Sequence, residues 1–400
     1  MSNQVILDSP GLYNIGWIAS LPTGRASATA LLDERHGEPH GFSQHPCDTN
    51  SYTWGRMGKH NIVIASLEAG TSGTTSAATT ASNMLSSLPH IKTGLLVGTG
   101  AGVARPDSGI DIRLGDVVVS KPDGSTGGVV QYDLMKAKLN SARERKDFLN
   151  KPPSVLLHAL ANIQAEHHIA ESEVPELLEK MWAANPGMKK STRAVPGFVH
   201  QGLENDLLFK AEYSHVGSQY CCKCDQTEVI QRDMRDSTDP EIHYGIIASG
   251  NTMIKDSAVR ERILQDIGQE CLCIEMEAAG VMNHFPCIII KGICNYADSH
   301  KNDRWQPYAS ATAAAFAKEL LRYVPRQGPI ETQKVINASN SPTSSLFISR
   351  WPTMVYNKTS NSREEAQDIR RIKDNASRNV LDGETSEYLY HGESSYARVK

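Results

Sequence analysis

Short apolar runs alternate with longer amphipathic stretches along most of this chain. Tyr13 to Ala19 is followed by Ala26 to Leu32, and Asn61 to Ser66 by Ser76 to Leu88. Thr93 to Gly98 leads into Asp116 to Ser120, and the last apolar runs are Tyr244 to Ala248 and Ile288 to Ile293. Strand-length runs separated by helical periods predict an α/β fold, with helices covering both faces of a sheet. An alanine-rich amphipathic helix over Ala309 to Tyr323 is expected to close the domain. Residues 153–190 read as helical and then polar. Residues 190–243 are irregular and charged, which suggests an insertion or flap. After Pro325 the pattern stops: residues 327–400 are rich in Ser, Asn, Thr and charge with no sustained period, and are expected to be a mostly disordered tail.

Composition narrows the function classes. The chain has 400 residues, 40% of them apolar, which is ample for a large buried core. Its net charge of −4, with both signs mixed, leaves no basic face to neutralise phosphates, so nucleic acid is not an expected partner. The N-terminus lacks a charged stretch followed by a long apolar one, and no run has the ~18 apolar residues of a membrane span. A cytoplasmic protein with no membrane contact is the expectation. Of the eight cysteines, Cys271, Cys273, Cys287 and Cys294 sit in apolar runs and read as reduced, buried thiols. Cys221, Cys222 and Cys224 invite a zinc reading. Their candidate neighbours, His215 and His243, stand at no standard spacing, and His300 after Asp298-Ser299 reads as structural rather than as a ligand, so no metal and no cofactor is expected.

Chemistry concentrates toward the end of the periodic region. Ile274-Glu275-Met276-Glu277-Ala278-Ala279-Gly280 opens a helix, and the apolar run Ile288 to Ile290 leads into Gly292-Ile293-Cys294-Asn295-Tyr296-Ala297-Asp298. Ligands of open α/β sheets bind outside the carboxyl ends of the strands. This unit therefore brings a carboxylate able to grip a vicinal diol, and an amide able to read a heterocycle, to one crevice. Gly98-Thr99-Gly100-Ala101-Gly102 follows a strand and can be a tight turn or an anion- or water-holding loop. Ala69 to Ser76 is a second such loop before a helix. Arg113 and Asp116 are read as a structural pair. Tyr132 can cover a planar base or simply pack.

Taken together, the motifs GWIASLP, GTTSAA, LLVGTGAG, DIRLGDVVVS, GVVQYD, HYGIIASGN, IEMEAAG and GICNYADSHKN resemble the nucleoside phosphorylase and nucleosidase superfamily, and most closely its fungal branch. The match runs from about Tyr13 to Leu321, interrupted over 140–240. The resemblance implies a three-layer αβα sandwich with a twisted mixed central sheet: a catalytic domain over 1–326, with a divergent 140–243 region, and a tail outside it. It implies cleavage of the N-glycosidic bond of a purine nucleoside, the chain's expected partner besides a second copy of itself in a homo-oligomer. Glu277 then matches the glutamate that accepts from the ribose hydroxyls, and Met276 the methionine under the sugar. Gly98 and Thr99 match the loop facing phosphate or the attacking water, with Thr74 in a second loop beside it. Met253 and Tyr132 are base contacts. Asn295 stands where an aspartate usually protonates purine N7.

Two departures bear on mechanism. An amide cannot give a proton to N7, but it can donate hydrogen bonds to N7 and a 6-oxo group, which favours inosine or guanosine. Gly24 occupies the place of a water-orienting glutamate; Arg25 beside it can bind phosphate, yet Leu96 sits where phosphorylases place another arginine. Hydrolysis is the expected reaction. Phosphorolysis, and a catalytically decayed nucleoside-binding or signalling module, are the alternatives.

Overall fold

The glycine-studded run at residues 93–102 is the axis of the sheet. In the computed structural model, which describes residues 4–137, 143–145, 148–192, 195–217, 220–268 and 270–326, this run is strand β5 (Thr93–Gly102), buried throughout except at Thr99. A strand buried on both faces is apolar without alternation, as this one is. On one side it pairs in parallel with β1 (Ile15–Ala19), which pairs in parallel with β4 (His60–Ser66). Two antiparallel strands, β3 (Thr53–Met57) and β2 (Glu34–His36), finish that edge.

On its other side β5 pairs in parallel with β12 (Cys287–Asn295). Beyond it come β6 (Val117–Ser120), antiparallel to β12, then β10 (Ile242–Ser249) and β11 (Cys271–Glu275), each parallel to its predecessor. A short β7 (Val129–Gln131) also pairs with β10. The expected mixed sheet is present, with a feature beyond the expectation. β11 returns to β5 in antiparallel fashion, Cys273 opposite Gly102 and Ile274 opposite Ala101, so this half of the sheet closes on itself. Closure removes two exposed edges and brings the ends of β5, β11 and β12 together. A separate two-stranded antiparallel sheet pairs β8 (Met135–Ala137) with β9 (Arg143–Arg145).

Helices α1 (Pro22–Ala30), α2 (Thr74–Ser87), α3 (Ser154–Glu166), α4 (Val174–Ala184), α5 (Ser257–Ile267), the one-turn α6 (Ala278–Val281) and α7 (Gln306–Tyr323) complete the layers. The register assigns their faces. Gly16 lies beside Gly94, and a Cβ on Gly16 would come 2.9 Å from Met84 of α2. Gly292 lies beside Thr99, on the opposite face by alternation, and a Cβ there would fall on the Ala309 carbonyl of α7. That backbone-to-backbone approach is closed to any other residue. Gly292→Ala should cost about 3 kcal/mol, read as a shift of the denaturation midpoint at unchanged slope.

The 140–243 region is less of a flap than expected. α3 and α4 pack on α7. The α3–α4 connection is held by buried Glu319, which accepts from His167 Nε2 at 2.9 Å, Ser172 Oγ at 2.8 Å and the Glu173 amide at 3.0 Å. Residues 206–235 are tied to the sheet by two buried carboxylates. Asp206 accepts from Arg232 at 2.9 Å and Tyr296 at 2.5 Å. Asp116 accepts from Arg235 at 2.7 and 2.8 Å and from His243 at 2.9 Å. The structural pair expected between Arg113 and Asp116 forms only through the Arg113 backbone amide, at 2.8 Å; its guanidinium pairs with Asp111. The tail expected over 327–400 lies outside the described residues. No helix among those described is long and apolar enough to cross a membrane.

Candidate active site

Where β5, β11 and β12 end, five of the residues singled out from the sequence line one cavity of about 120 Å³: Thr99, Met253, Met276, Glu277 and Asn295. Ser20, Ser72 and Lys301 share its wall, and Lys301 is the one Lys or Arg among the lining residues. A neighbouring cavity of about 250 Å³ meets it at Cys294, Asn295 and Lys301.

Glu277 follows β11 by two residues and is 6% exposed. Its carboxylate accepts from Lys291 Nζ at 3.0 Å and from the Gly73 amide. Lys291 is fully buried on β12 and also pairs with Glu275 Oε2 at 2.6 Å. Glu275 in turn accepts from the amides of Glu277 at 3.1 Å and Ala278 at 3.0 Å, which caps α6 with an acid. One cation thus serves two carboxylates, with backbone amides satisfying remaining lone pairs, as buried charge requires. Burial acts to discharge Lys291, but Glu275 and Glu277 outweigh it and hold the ammonium above the ordinary lysine range. Burial would also raise Glu275, yet Lys291 holds it below the usual carboxylate range. Glu277 goes the other way: burial lifts it, Lys291 pulls it down, and Glu275 adds to the rise. Both residues line the cavity; Glu275 is held by Lys291 and two backbone amides, and Glu277 by Lys291 and the Gly73 amide.

Asn295 is aimed by a β-bulge. The β12–β5 register shifts between Ile293 and Asn295, which turns the strand end next to the cavity. Its Oδ1 accepts from the Ala297 amide at 3.0 Å, and Ala297 has φ +53°, the one positive φ among described non-glycine residues. This is a side-chain-to-backbone turn of the kind Asn and Asp make. It fixes the amide: the carbonyl oxygen is engaged, and among the described residues Nδ2 is bonded only to Cys294 Sγ, at 3.2 Å. A thiol is a weak acceptor, so both Nδ2 hydrogens are available to a stronger one.

The remaining candidates lie elsewhere. Gly98 is buried in β5, where a Cβ would strike Ser20 Oγ; its part is to let Ser20 approach. Thr74 donates through its amide and hydroxyl to Asn251 Oδ1, each at 2.9 Å, bracing the loop before α2. Tyr132 donates to the Thr252 carbonyl at 2.8 Å and lines an adjoining cavity that shares Thr252 and Ile254 with the Glu277 cavity. Arg25 donates to Ser66 at 3.2 Å and Thr53 at 3.0 Å, and faces a groove that shares only Ser72 with the Glu277 cavity. Lys291 and Glu275 were not singled out from the sequence. A lysine inside Ile288–Ile293 was the available signal, because a charge in an apolar strand requires a buried partner.

No family model matches the chain. It is 38% identical over 331 residues to a nucleotide-binding leucine-rich repeat (NLR)-like protein of Hyaloscypha variabilis, a span covering 83% of this chain and 31% of that protein. It is 35% identical over 82 residues to the ATP nucleosidase Cap17 of Escherichia coli, covering 19% of this chain and 16% of that protein. The chain therefore spans less than a third of the length of either relative. Among solved structures, the futalosine hydrolase of Helicobacter pylori is similar over 78% of this chain and 99% of its own, at 15% identity and a TM-score of 0.48. The resemblance read from the motifs stands: the chain resembles the nucleoside phosphorylase and nucleosidase superfamily, with a fungal relative and a bacterial ATP nucleosidase among its matches.

Proposed function

We propose that this chain cleaves the N-glycosidic bond of purine nucleosides, with water as the nucleophile and a preference for 6-oxopurines. The observation that carries the proposal is the fixed Asn295 amide on the wall of the cavity that also holds the Glu277 carboxylate. Glycosidic cleavage passes through an oxocarbenium-like transition state, so the sugar must be held while the base departs with growing negative charge. Glu277 accepts from the ribose 2′- and 3′-hydroxyls, and Met276 packs under the ring. Asn295 Nδ2 donates to the base. Because Oδ1 is committed to Ala297, the amide offers donors only. Inosine and guanosine present two acceptors, N7 and O6, and match it; adenosine presents a donor at N6 and does not. Thr99 and Ser20 position water. A single lining cation, Lys301, is thin provision for free phosphate, and this favours hydrolysis over phosphorolysis.

The 82-residue match to an ATP nucleosidase supports a second reading, in which the ribose carries a 5′-phosphate chain. The test is base release from inosine, guanosine, adenosine and ATP, each with and without phosphate, followed by chromatography. Hypoxanthine or guanine with free ribose and no phosphate requirement is expected. Ribose 1-phosphate would replace hydrolysis by phosphorolysis, and adenine from ATP alone would move the substrate to nucleotides. Nucleoside binding with no base release would leave a binding module. Glu277→Gln keeps the Lys291–Glu275 pair and should lower turnover by about 10²- to 10³-fold. Unchanged kinetics in that variant would remove Glu277 from the sugar.

A further inference from the structure

We propose that Cys221, Cys224, His215 and His300 bind one structural zinc ion, which clips residues 206–235 to the loop that follows Asn295. Ligand atoms of His215, Cys224 and His300 all lie within 4.8 Å of one another. Cys224 Sγ is 3.3 Å and Cys221 Sγ 3.8 Å from His215 Nδ1. A tetrahedral zinc with the usual Zn–S and Zn–N lengths sets its ligands roughly 3.3–3.8 Å apart, so His215 stands at coordination spacing from both cysteines, and His300 closes toward His215 and Cys224 to complete the set. Cys221 and Cys224 have the two-residue separation of zinc-binding pairs.

The histidine missing from the sequence motif comes from another part of the fold. His300 is 7% exposed and stacks on Phe209 at 3.9 Å between ring centroids, yet both its ring nitrogens are buried with no hydrogen-bond partner. An imidazole with two unsatisfied buried nitrogens is costly unless something binds it. Nδ1 lies 3.7 Å from Asp298 Oδ2, so one ring nitrogen can take the metal while a carboxylate orients the other, the usual support of a zinc-bound histidine. The Val216 amide points at Cys224 Sγ from 3.5 Å, a donor suited to a thiolate. A second group of potential ligands, Asp116, Glu241 and His243, makes the contrast. There the Arg235 guanidinium already supplies the positive charge, 2.7 Å from Asp116 and 3.0 Å from Glu241.

Four protein ligands close the coordination sphere, which makes the site structural and leaves glycosidic chemistry to Glu277 and Asn295. Its effect on that chemistry is positional. The His215 amide donates to Ser299 Oγ at 2.9 Å, and Arg232 donates to Tyr296 at 3.0 Å. The clip therefore braces the segment that begins at Asn295.

The full chain, purified from zinc-supplemented culture and dialysed, should carry about one zinc per chain by elemental analysis, released when its thiols are titrated. The Cys221→Ser/Cys224→Ser double variant should lose it, and Cys222→Ser should keep it. Cobalt added to metal-stripped wild-type chain should give the intense visible bands of a tetrahedral thiolate site, a readout that needs no variant to fold. A wild-type chain with no metal and no cobalt bands would overturn the proposal. So would a disulfide between Cys221 and Cys224 in the purified chain, or zinc retained in the double variant. None of these outcomes depends on base release, so the zinc site and the proposed reaction fail or stand separately.

Discussion

Asn295→Asp should raise base release from inosine by about 100-fold, the lower end of what a positioned general acid contributes. The backbone is already arranged for it: an aspartate keeps the bond from the Ala297 amide through one carboxyl oxygen and turns the other toward the base. With the proton in place, N7 is protonated as the bond breaks, where the native amide can only donate hydrogen bonds to it. The specificity should change with the rate. A carboxyl has one donor where the amide has two, so it loses the second bond to O6, and the preference for inosine over adenosine should fall. Turnover at saturating inosine and adenosine, measured against pH, checks both points. The variant should gain a descending limb toward high pH, as its acid ionises, that the native chain lacks. A folded Asn295→Asp chain with native turnover and a native pH profile would sink the assignment of Asn295 to the base.

Lys291→Met should destabilise the fold by about 3–5 kcal/mol, the cost of removing one partner from a buried ionic cluster. The methionine fills the space, but Glu275 and Glu277 are then buried side by side without their cation. The pH dependence separates this effect from simple packing loss. In the native chain Glu275 is held below its unfolded pKa, so its contribution is present above that value and is lost as pH falls through the folded one. In the variant the two carboxyls are raised instead. Their penalty is full at neutral pH and fades as acid protonates them, toward the ~4.3 of an ordinary glutamate. Denaturation midpoints of both proteins across pH should therefore converge in acid. A deficit constant with pH would mean that Lys291 acts through packing alone.

Much of the architecture was legible because buried strands write themselves as apolar runs. β1, β4, β5 and β12 sit where Tyr13–Ala19, Asn61–Ser66, Thr93–Gly98 and Ile288–Ile293 predicted them. The antiparallel return of β11 to β5 was not legible, since one register joining Ile274 to Ala101 has no local signature. Local motifs fared similarly at the site. Glu277, Met276 and Asn295 belong to two elements close in sequence and were found together; Thr99 reaches the same cavity from β5 and Met253 from the loop after β10. Arg25 and Thr74 were placed by sequence neighbourhood, and the fold gives them Ser66 and Asn251 as partners instead. The zinc ligands show the same limit. His300 is far from the Cys221–Cys224 pair in sequence and reaches it only when the loop after β12 meets residues 206–235, so spacing rules could not find it.

The closure of β5 on β11 and β12 also fixes when this site can exist. Residues 93–102 wait for partners at 273–274 and 287–295, and pairings of such long separation bear the largest loop-closure cost and form slowly. As the chain emerges from the ribosome, β1, β4 and β5 can associate early, while the flank of β5 that will bear the cavity stays unpaired. Glu277 and Asn295 then arrive nearly together, as the last strands seal the ring. A nascent or truncated chain ending before β12 has most of the strands and already carries Glu277, but it lacks both Asn295 and the Lys291 that pairs with Glu277, so the proposed site is completed only by the last strand.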